Sequence, residues 1–310
     1  MTKQALPHGL WPSPISPAML AGGIRLNDAQ WSPDGNLLVW SQSLDGKTSL
    51  FAKPARDAAF DLSGELNPSG GIGYGGGDFC AGRQGVAFAE RNGRLYFKPY
   101  SEGLSRPITP AFGGCAAPVI TPDERFVIFV HTYENKDVLA IVPLDGSAWP
   151  RILRQGADFY MQPAVSPDGK LLAWVEWDHP NMPWDGTRLS LANLDLEVGS
   201  IFDVKLLDGD ENVPVFQPVF APDGTRLAWL SNAGELDQLK VLHLPSGEVE
   251  TLVQDRVLMP PAWVQGVRAL AWSPDSQQIL FLENQLGRTC LRSIDLNTRE
   301  ISTVDTAPYT

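Results

Sequence analysis

The stretch Val165-Ser166-Pro167-Asp168-Gly169-Lys170-Leu171-Leu172-Ala173-Trp174 reads as the end of one strand, a tight turn and the start of a second strand. Pro167 presets φ for the first central turn position, Asp168 hydrogen-bonds its own backbone, and Gly169 accepts a positive φ. Leu171 to Trp174 is then apolar enough for a strand buried on both faces.

The pattern recurs. Trp31-Ser32-Pro33-Asp34-Gly35 precedes Leu37 to Trp40, and Ile120-Thr121-Pro122-Asp123-Glu124 precedes Phe126 to Val130. Phe220-Ala221-Pro222-Asp223-Gly224 and Trp272-Ser273-Pro274-Asp275-Ser276 lead into Leu227 to Leu230 and Ile279 to Leu282. A decayed copy, Phe79-Cys80-Ala81-Gly82-Arg83 ahead of Val86 to Ala89, fills the gap. First positions 31, 79, 120, 165, 220 and 272 are separated by 48, 41, 45, 55 and 52 residues. A period of roughly 40–55 residues built of short strands is that of a β-propeller blade. The sequence therefore predicts an all-β propeller of six four-stranded blades, either a closed ring of six or six of seven.

Composition agrees. With 310 residues, 29 Gly, 26 Pro and 10 Trp, the chain is turn-rich and has ample material for a core. A net charge of −12 excludes a basic stripe able to displace counterions from phosphates, and it disfavours an anionic membrane surface. Neither nucleic acid nor membrane is expected as a partner. Cys80, Cys115 and Cys290 are too scattered for a disulfide framework or a metal site, and Met1 to Trp11 lacks an apolar signal region. These features point to reduced thiols and a cytoplasmic protein.

Residues 1–21, with Trp11-Pro12-Ser13-Pro14-Ile15-Ser16-Pro17, read as an arm; Ser16 can N-cap a short helical turn starting at Pro17. The propeller is expected over 22–310, with blades near 22–63, 73–110, 112–153, 157–206, 211–253 and 261–305. The run Gly70-Gly71-Ile72-Gly73-Tyr74-Gly75-Gly76-Gly77 leads into a strand, whereas a phosphate cradle needs a helix N-terminus after the glycines. It reads as a glycine-lined segment near the axis.

Catalytic candidates are scarce. No Gly-x-Ser-x-Gly nucleophile elbow occurs, and His8, His131, His179 and His243 have no His or Cys at metal-ligand spacing. No catalytic, cofactor-binding or metal residue is assigned, and no cofactor is expected. The repeated Asp34, Asp123, Asp168, Asp223 and Asp275 read as turn-formers. One insertion, Glu176-Trp177-Asp178-His179-Pro180-Asn181-Met182-Pro183-Trp184-Asp185-Gly186-Thr187, combines acids, a histidine and two tryptophans. Trp177, Asp178, His179, Asn181, Trp184 and Asp185 are its candidates for a pocket or inter-domain face; the plainer reading is an ordered loop with packed tryptophans and an Asp185-Gly186 turn.

That insertion resembles a stretch of the prolyl oligopeptidase family, in its acylaminoacyl-peptidase-like bacterial branch. Trp11 to Pro17, Val215-Phe216-Gln217-Pro218 and Pro261-Ala262-Trp263-Val264-Gln265-Gly266 are similar to that branch as well, so the resemblance spans essentially the whole chain. The Ser-Pro-Asp-Gly turns are shared more widely, including by TolB-like propellers. The resemblance implies a non-catalytic propeller that caps and gates a C-terminal α/β-hydrolase with a Ser-Asp-His triad, the hydrolase lying outside this chain. Serine peptidase activity on small peptides would then require that domain in the same polypeptide. The family propeller commonly has seven blades, and Ala307-Pro308-Tyr309-Thr310 looks like the start of a seventh. This chain departs from the family pattern at Gly73-Tyr74-Gly75-Gly76-Gly77, where relatives typically have His-Glu before the Tyr-Gly-Gly-Gly, so no role of those two residues carries over. The alternative is a stand-alone TolB-like propeller serving as a protein-interaction scaffold; either reading leaves room for a homo-oligomer.

Overall fold

The computed structural model describes residues 22–306 together with residues 7, 14–16 and 19. Most of the arm expected over 1–21, and the residues 307–310 read as the start of a seventh blade, lie outside the described residues. One contact of the arm is described: the Met19 N–H donates to Ser16 Oγ at 3.2 Å, as an N-cap serine requires.

Every named element is a strand, and the strands form six antiparallel sheets of four, each paired in chain order. Sheet 1 holds β1 (Arg25–Trp31), β2 (Leu37–Leu44), β3 (Lys47–Pro54) and β4 (Phe60–Asp61). Sheet 2 holds β5 (Phe79–Ala81), β6 (Gly85–Ala89), β7 (Leu95–Pro99) and β8 (Arg106–Pro107). Sheet 3 is β9 (Gly114–Ile120), β10 (Phe126–Tyr133), β11 (Lys136–Pro143) and β12 (Arg151–Arg154). Sheet 4 is β13 (Phe159–Val165), β14 (Leu171–Trp177), β15 (Arg188–Asp195) and β16 (Ser200–Asp208). Sheet 5 is β17 (Val215–Phe220), β18 (Arg226–Ser231), β19 (Asp237–His243) and β20 (Glu248–Arg256). Sheet 6 is β21 (Leu270–Trp272), β22 (Gln278–Gln285), β23 (Arg288–Asp295) and β24 (Ile301–Thr303). These are the blades of a β-propeller.

The repeated turn joins the first and second strand of a sheet. Asp168 Oδ1 accepts from Ser166 Oγ at 2.6 Å and from the Lys170 N–H at 3.1 Å, and Asp123 and Asp275 are bound in the same way. The Ser32 and Ser273 hydroxyls hold the Asp34 and Asp275 carboxyls below the ordinary range. In sheet 2 the register differs from the sequence alignment. Ala81, opposite Val86, occupies the place that Trp31, opposite Leu38, takes in sheet 1. The turn there is simply shorter, Gly82 N–H closing on Gly85 O at 2.8 Å.

The face of each sheet is set by strand alternation. Val39, Leu50 and Ala52 of sheet 1 pack on Phe79, Val86 and Phe88 of sheet 2. Ala87, Ala89 and Leu95 then meet Val127 and Phe129 of sheet 3, and Ile128, Val130 and Leu139 meet Leu172 and Trp174 of sheet 4. A single cluster joins sheets 4, 5 and 6. Burying one such aromatic stabilises the fold by roughly 1.5–3 kcal/mol relative to leaving it in water.

Near the axis, β9, β13 and β17 each bulge at a left-handed residue that precedes a proline: Ala117 (φ 48°), Gln162 (φ 52°) and Gln217 (φ 51°). The bulge turns the Gln162 and Gln217 side chains along the ring. Gln162 Oε1 accepts from the Gln217 N–H at 2.7 Å, and Gln217 Nε2 donates to Leu270 O at 2.7 Å. Gln265 Nε2 in turn donates to Tyr160 O at 2.8 Å. Glutamine side chains thus supply backbone partners that ladder pairing cannot provide between inner strands.

Candidate domain-docking face

One end of the ring carries the hairpins between second and third strands and the crossovers between sheets. The insertion Trp177–Thr187 lies here, and its order comes from its own polar groups. Asp185 Oδ2 accepts from the Met182 N–H at 2.9 Å while the Asp185 N–H donates to Met182 O at 3.0 Å. Asn181 Nδ2 donates to Glu211 O at 2.7 Å, tying the loop to the crossover that enters sheet 5. The plainer sequence reading, an ordered loop, describes Asn181 and Asp185 well.

Trp177, Asp178 and His179 converge on a pair of residues that sequence reasoning passed over, Asp158 and Phe159. Trp177 is buried and stacks on Phe159 with centroids 5.0 Å apart, and the His179 ring lies 4.8 Å from Phe159. Asp158 Oδ2 receives both the His179 N–H and its Nδ1 at 3.0 Å, so Nδ1 carries the proton. The His179 backbone N–H, followed by its ring, holds the Asp158 carboxyl below the usual range. Asp178 bridges the Asp158 N–H (3.0 Å) and Arg188 Nη2 (2.6 Å). Below them Glu176 is buried and satisfied by Arg154 Nη2 at 3.1 Å and Trp174 Nε1 at 2.7 Å. Every acid in the cluster has a cationic or N–H partner, and no serine, threonine or cysteine stands beside His179 in this network. The cluster orients side chains; it has no nucleophile to activate.

The glycine run passes over the axis beside this cluster. Gly75 O accepts from the Gln265 N–H, and Gly77 O from the Ala117 N–H, both at 2.8 Å. The reason for glycine is close approach: at Gly76 (φ 69°) a Cβ would lie 2.5 Å from Gln265 O. The run leads into β5 with no helix behind it. Tyr74, set among these glycines, drops its ring edge-on to Trp177 (5.2 Å) and Phe159 (5.3 Å), and its hydroxyl lies 3.4 Å from Met182 Sδ.

Next to Tyr74 the surface is apolar. Trp184 packs against Trp263 at 4.4 Å, and Trp263 (65% exposed), Met182 (46%) and Val264 (41%) face solvent. A hollow of about 370 Å³ lies beside them, lined among others by Pro183, Trp184, Phe216, Met259 and Pro261. The six candidates therefore divide. Trp177, Asp178 and His179 share one network, Trp184 joins Trp263 on the apolar patch, and Asn181 and Asp185 hold the loop between.

Among the described residues the other two histidines serve other ends, and His8 lies outside them. His131 Nε2 donates to Phe112 O at 2.9 Å, and His243 lies 3.5 Å from Glu250. Among the described residues no three His, Cys, Asp or Glu side chains are placed to hold a metal, and Cys80, Cys115 and Cys290 are free thiols. Burial pushes Cys115 up to about 12. No helix among the described residues is long and apolar enough to cross a membrane.

No family model and no curated protein matches the chain. Among solved structures, puromycin hydrolase is similar with a TM-score of 0.83 at 27% identity, over 98% of this chain and 50% of that one. A puromycin-hydrolysing peptidase of Mycobacterium tuberculosis gives 0.84 at 25%, with the same coverage. This chain is a β-propeller similar to one half of these puromycin-hydrolysing enzymes. The propeller spans about half the length of the peptidases it matches. TolB from Acinetobacter baumannii, with a TM-score of 0.52 at 14% identity over 90% of this chain and 68% of that one, shares the fold alone.

Proposed function

We propose that this chain is the non-catalytic, N-terminal propeller of a cytoplasmic serine peptidase, and that it caps and gates an active site carried by an α/β-hydrolase domain later in the same polypeptide. The observation that carries the reading is the likeness to puromycin hydrolase over 98% of this chain and only half of that enzyme. The absence of a nucleophile from the His179 network fits a division of labour in which chemistry belongs to the other half. The apolar patch of Trp184, Trp263, Met182 and Val264 is the surface on which that domain docks, because a contiguous exposed apolar patch is more costly without a partner. Small peptides reach the enclosed site, and the propeller excludes folded or long chains.

The test is the intact mass of the native gene product, combined with fluorophosphonate labelling. A labelled product near twice 33.8 kDa supports the peptidase. An unlabelled product of 33.8 kDa overturns it and leaves the interaction-scaffold reading. Gating is tested separately, by comparing hydrolysis of a dipeptide anilide with that of a protein-length substrate carrying the same cleavable residue.

A further inference from the structure

Sheet 2 ends in an outer strand of only two residues, β8, whereas β12 of sheet 3 has four and β16 of sheet 4 has nine. Pro107 and Pro110 have no N–H to give to a longer ladder, and the chain turns in toward β9. The inner part of the sheet 3 face that looks at sheet 2 is covered: Val127, Phe129, Ala140 and Val142 pack on Ala87, Ala89 and Leu95. Strand alternation puts His131, Tyr133, Lys136 and Val138 on this same face, and Ile152, opposite Ala140, carries it out to β12. With so short a strand across from them, these outer residues line a hollow of about 340 Å³.

The walls of the hollow are aromatic. Phe112, on the crossover between sheets 2 and 3, stacks on Tyr133 with centroids 4.1 Å apart and on the His131 ring at 5.8 Å. His131 Nε2 donates to Phe112 O at 2.9 Å and fixes that wall. Trp149, in the connection from β11 to β12, stands 74% exposed at the opposite end of β11. Val138, Ala140 and Ile152 make the apolar floor. A concave site of this size, aromatic and apolar with few polar groups, is the usual form of a small-molecule site.

Its polar groups converge at one end. Tyr133 and Lys136 are directly opposite in register, so their side chains are neighbours on this face. Neither the Tyr133 hydroxyl nor the Lys136 ammonium makes a hydrogen bond or an ion pair among the described residues. The other cation of the lining, Arg151, is engaged elsewhere, donating to Val198 O at 2.5 Å. No carboxylate lines the hollow. Asp158, which feels the charge of Lys136, lies beyond ion-pair range of it and is bound to His179.

We propose that this hollow binds a small planar aromatic carboxylate, with its ring against Trp149 and the Phe112–Tyr133 wall and its carboxylate on Lys136 and Tyr133. The aromatic walls supply stacking area, and the two adjacent free donors supply what an anion needs. An aromatic cation would meet a lysine where it requires an acid. The site belongs to sheet 3 and its entering crossover, and it does not depend on the peptidase reading.

Calorimetric titration of the native gene product with 2-naphthoate tests it, with 2-naphthamide as the neutral isostere. One saturable equivalent of naphthoate is expected, and the amide should bind about fivefold more weakly. Lys136→Gln should weaken naphthoate about fivefold and leave the amide unchanged. Trp149→Ala, at a position too exposed to matter to the fold, should weaken both about tenfold. Trp31→Ala removes an exposed tryptophan of sheet 1 and should change neither. Equal affinity for acid and amide, undiminished naphthoate binding in Trp149→Ala, or the absence of saturable binding overturns the proposal. Hydroxyl-radical footprinting of the ligand-free product reads the remaining occupants. Trp149 is expected to oxidise far faster than the buried Trp174; oxidation as slow as that of Trp174 would place another polypeptide segment or a second copy in the hollow and overturn the proposal as well.

Discussion

The ring of Tyr74, carried by the glycine run at the axis, meets the ring of Trp177, carried by the second strand of sheet 4, edge-on at 5.2 Å. The glycine run lies in the crossover into sheet 2 and Trp177 on sheet 4, so this contact and that of Gly75 with Gln265 join segments that are far apart in the chain. Tyr74→Ala removes the ring from a packed aromatic trio and is expected to cost about 3 kcal/mol. Tyr74→Phe keeps the ring and loses the hydroxyl's contacts to Met182 and Trp177, so its urea midpoint should fall less than that of Tyr74→Ala.

Gly76 and Gly35 share a φ near 70°, but only one is crowded. A Cβ at Gly76 meets Gln265 O at 2.5 Å, and one at Gly35 meets nothing within 4 Å. Gly35→Ala carries only the left-handed penalty of about 1–2 kcal/mol. Gly76→Ala must also move backbone, and its thermal midpoint should fall well below that of Gly35→Ala. Equal losses would contradict close approach as the reason for glycine here.

Gln217 is buried with Oε1 accepting from the N–H groups of Ala269 and Leu270 and Nε2 donating to Leu270 O. Gln217→Ala strands those groups without solvent, a loss of about 2–4 kcal/mol at one site. Hydrogen exchange should localise it, with faster exchange at Ala269 and Leu270 and little change at β2.

Burial raises the Asp137 carboxyl from 3.8 to about 6, against the opposing pull of the Thr132 hydroxyl and the Tyr160 backbone N–H. The folded state therefore binds this proton more tightly than the unfolded state. Stability from this group is fully present below about pH 4 and is lost as pH rises through 6. Asp137→Asn is expected to raise the unfolding free energy at pH 7–8 by up to about 3 kcal/mol and to converge with the parent near pH 4. Chemical denaturation at both pH values reads the difference, and a gain of equal size at both would rule out the carboxyl's charge as its source.

His179 is 71% exposed at its side chain and bound to Asp158 through both its backbone and its ring. The backbone bond survives His179→Ala, so stability should change by no more than about 1 kcal/mol. Trp263→Asp, on the apolar patch, should likewise leave the propeller folded but weaken docking in the peptidase-length polypeptide, read as faster proteolytic separation of the two halves.

The sequence by itself determined the strands, the turns and the propeller. Ser166, Pro167, Asp168 and Gly169 act within five residues of one another; Asp34, Asp123, Asp168 and Asp275 make the same pair of bonds, and Asp223, which follows Ala221, keeps the backbone one. The spacing of its copies then sets the number of sheets. One further signal was present and unused: a leucine recurs at Leu50, Leu95, Leu139, Leu189, Leu239 and Leu291, the same register of each third strand. The insertion and Val215-Phe216-Gln217-Pro218 also carried the resemblance to peptidase propellers. Only the tertiary structure decided that Asp158 and Phe159 complete the His179 network, that Tyr74 packs on Trp177, and that Gln162 and Gln217 stitch the inner strands. Phe159 and Trp177 are cross-strand partners within sheet 4, whereas Gln162 and Gln217 lie on different sheets and Tyr74 and Met182 are more than a hundred residues apart. Their meeting depends on how the sheets pack around the axis.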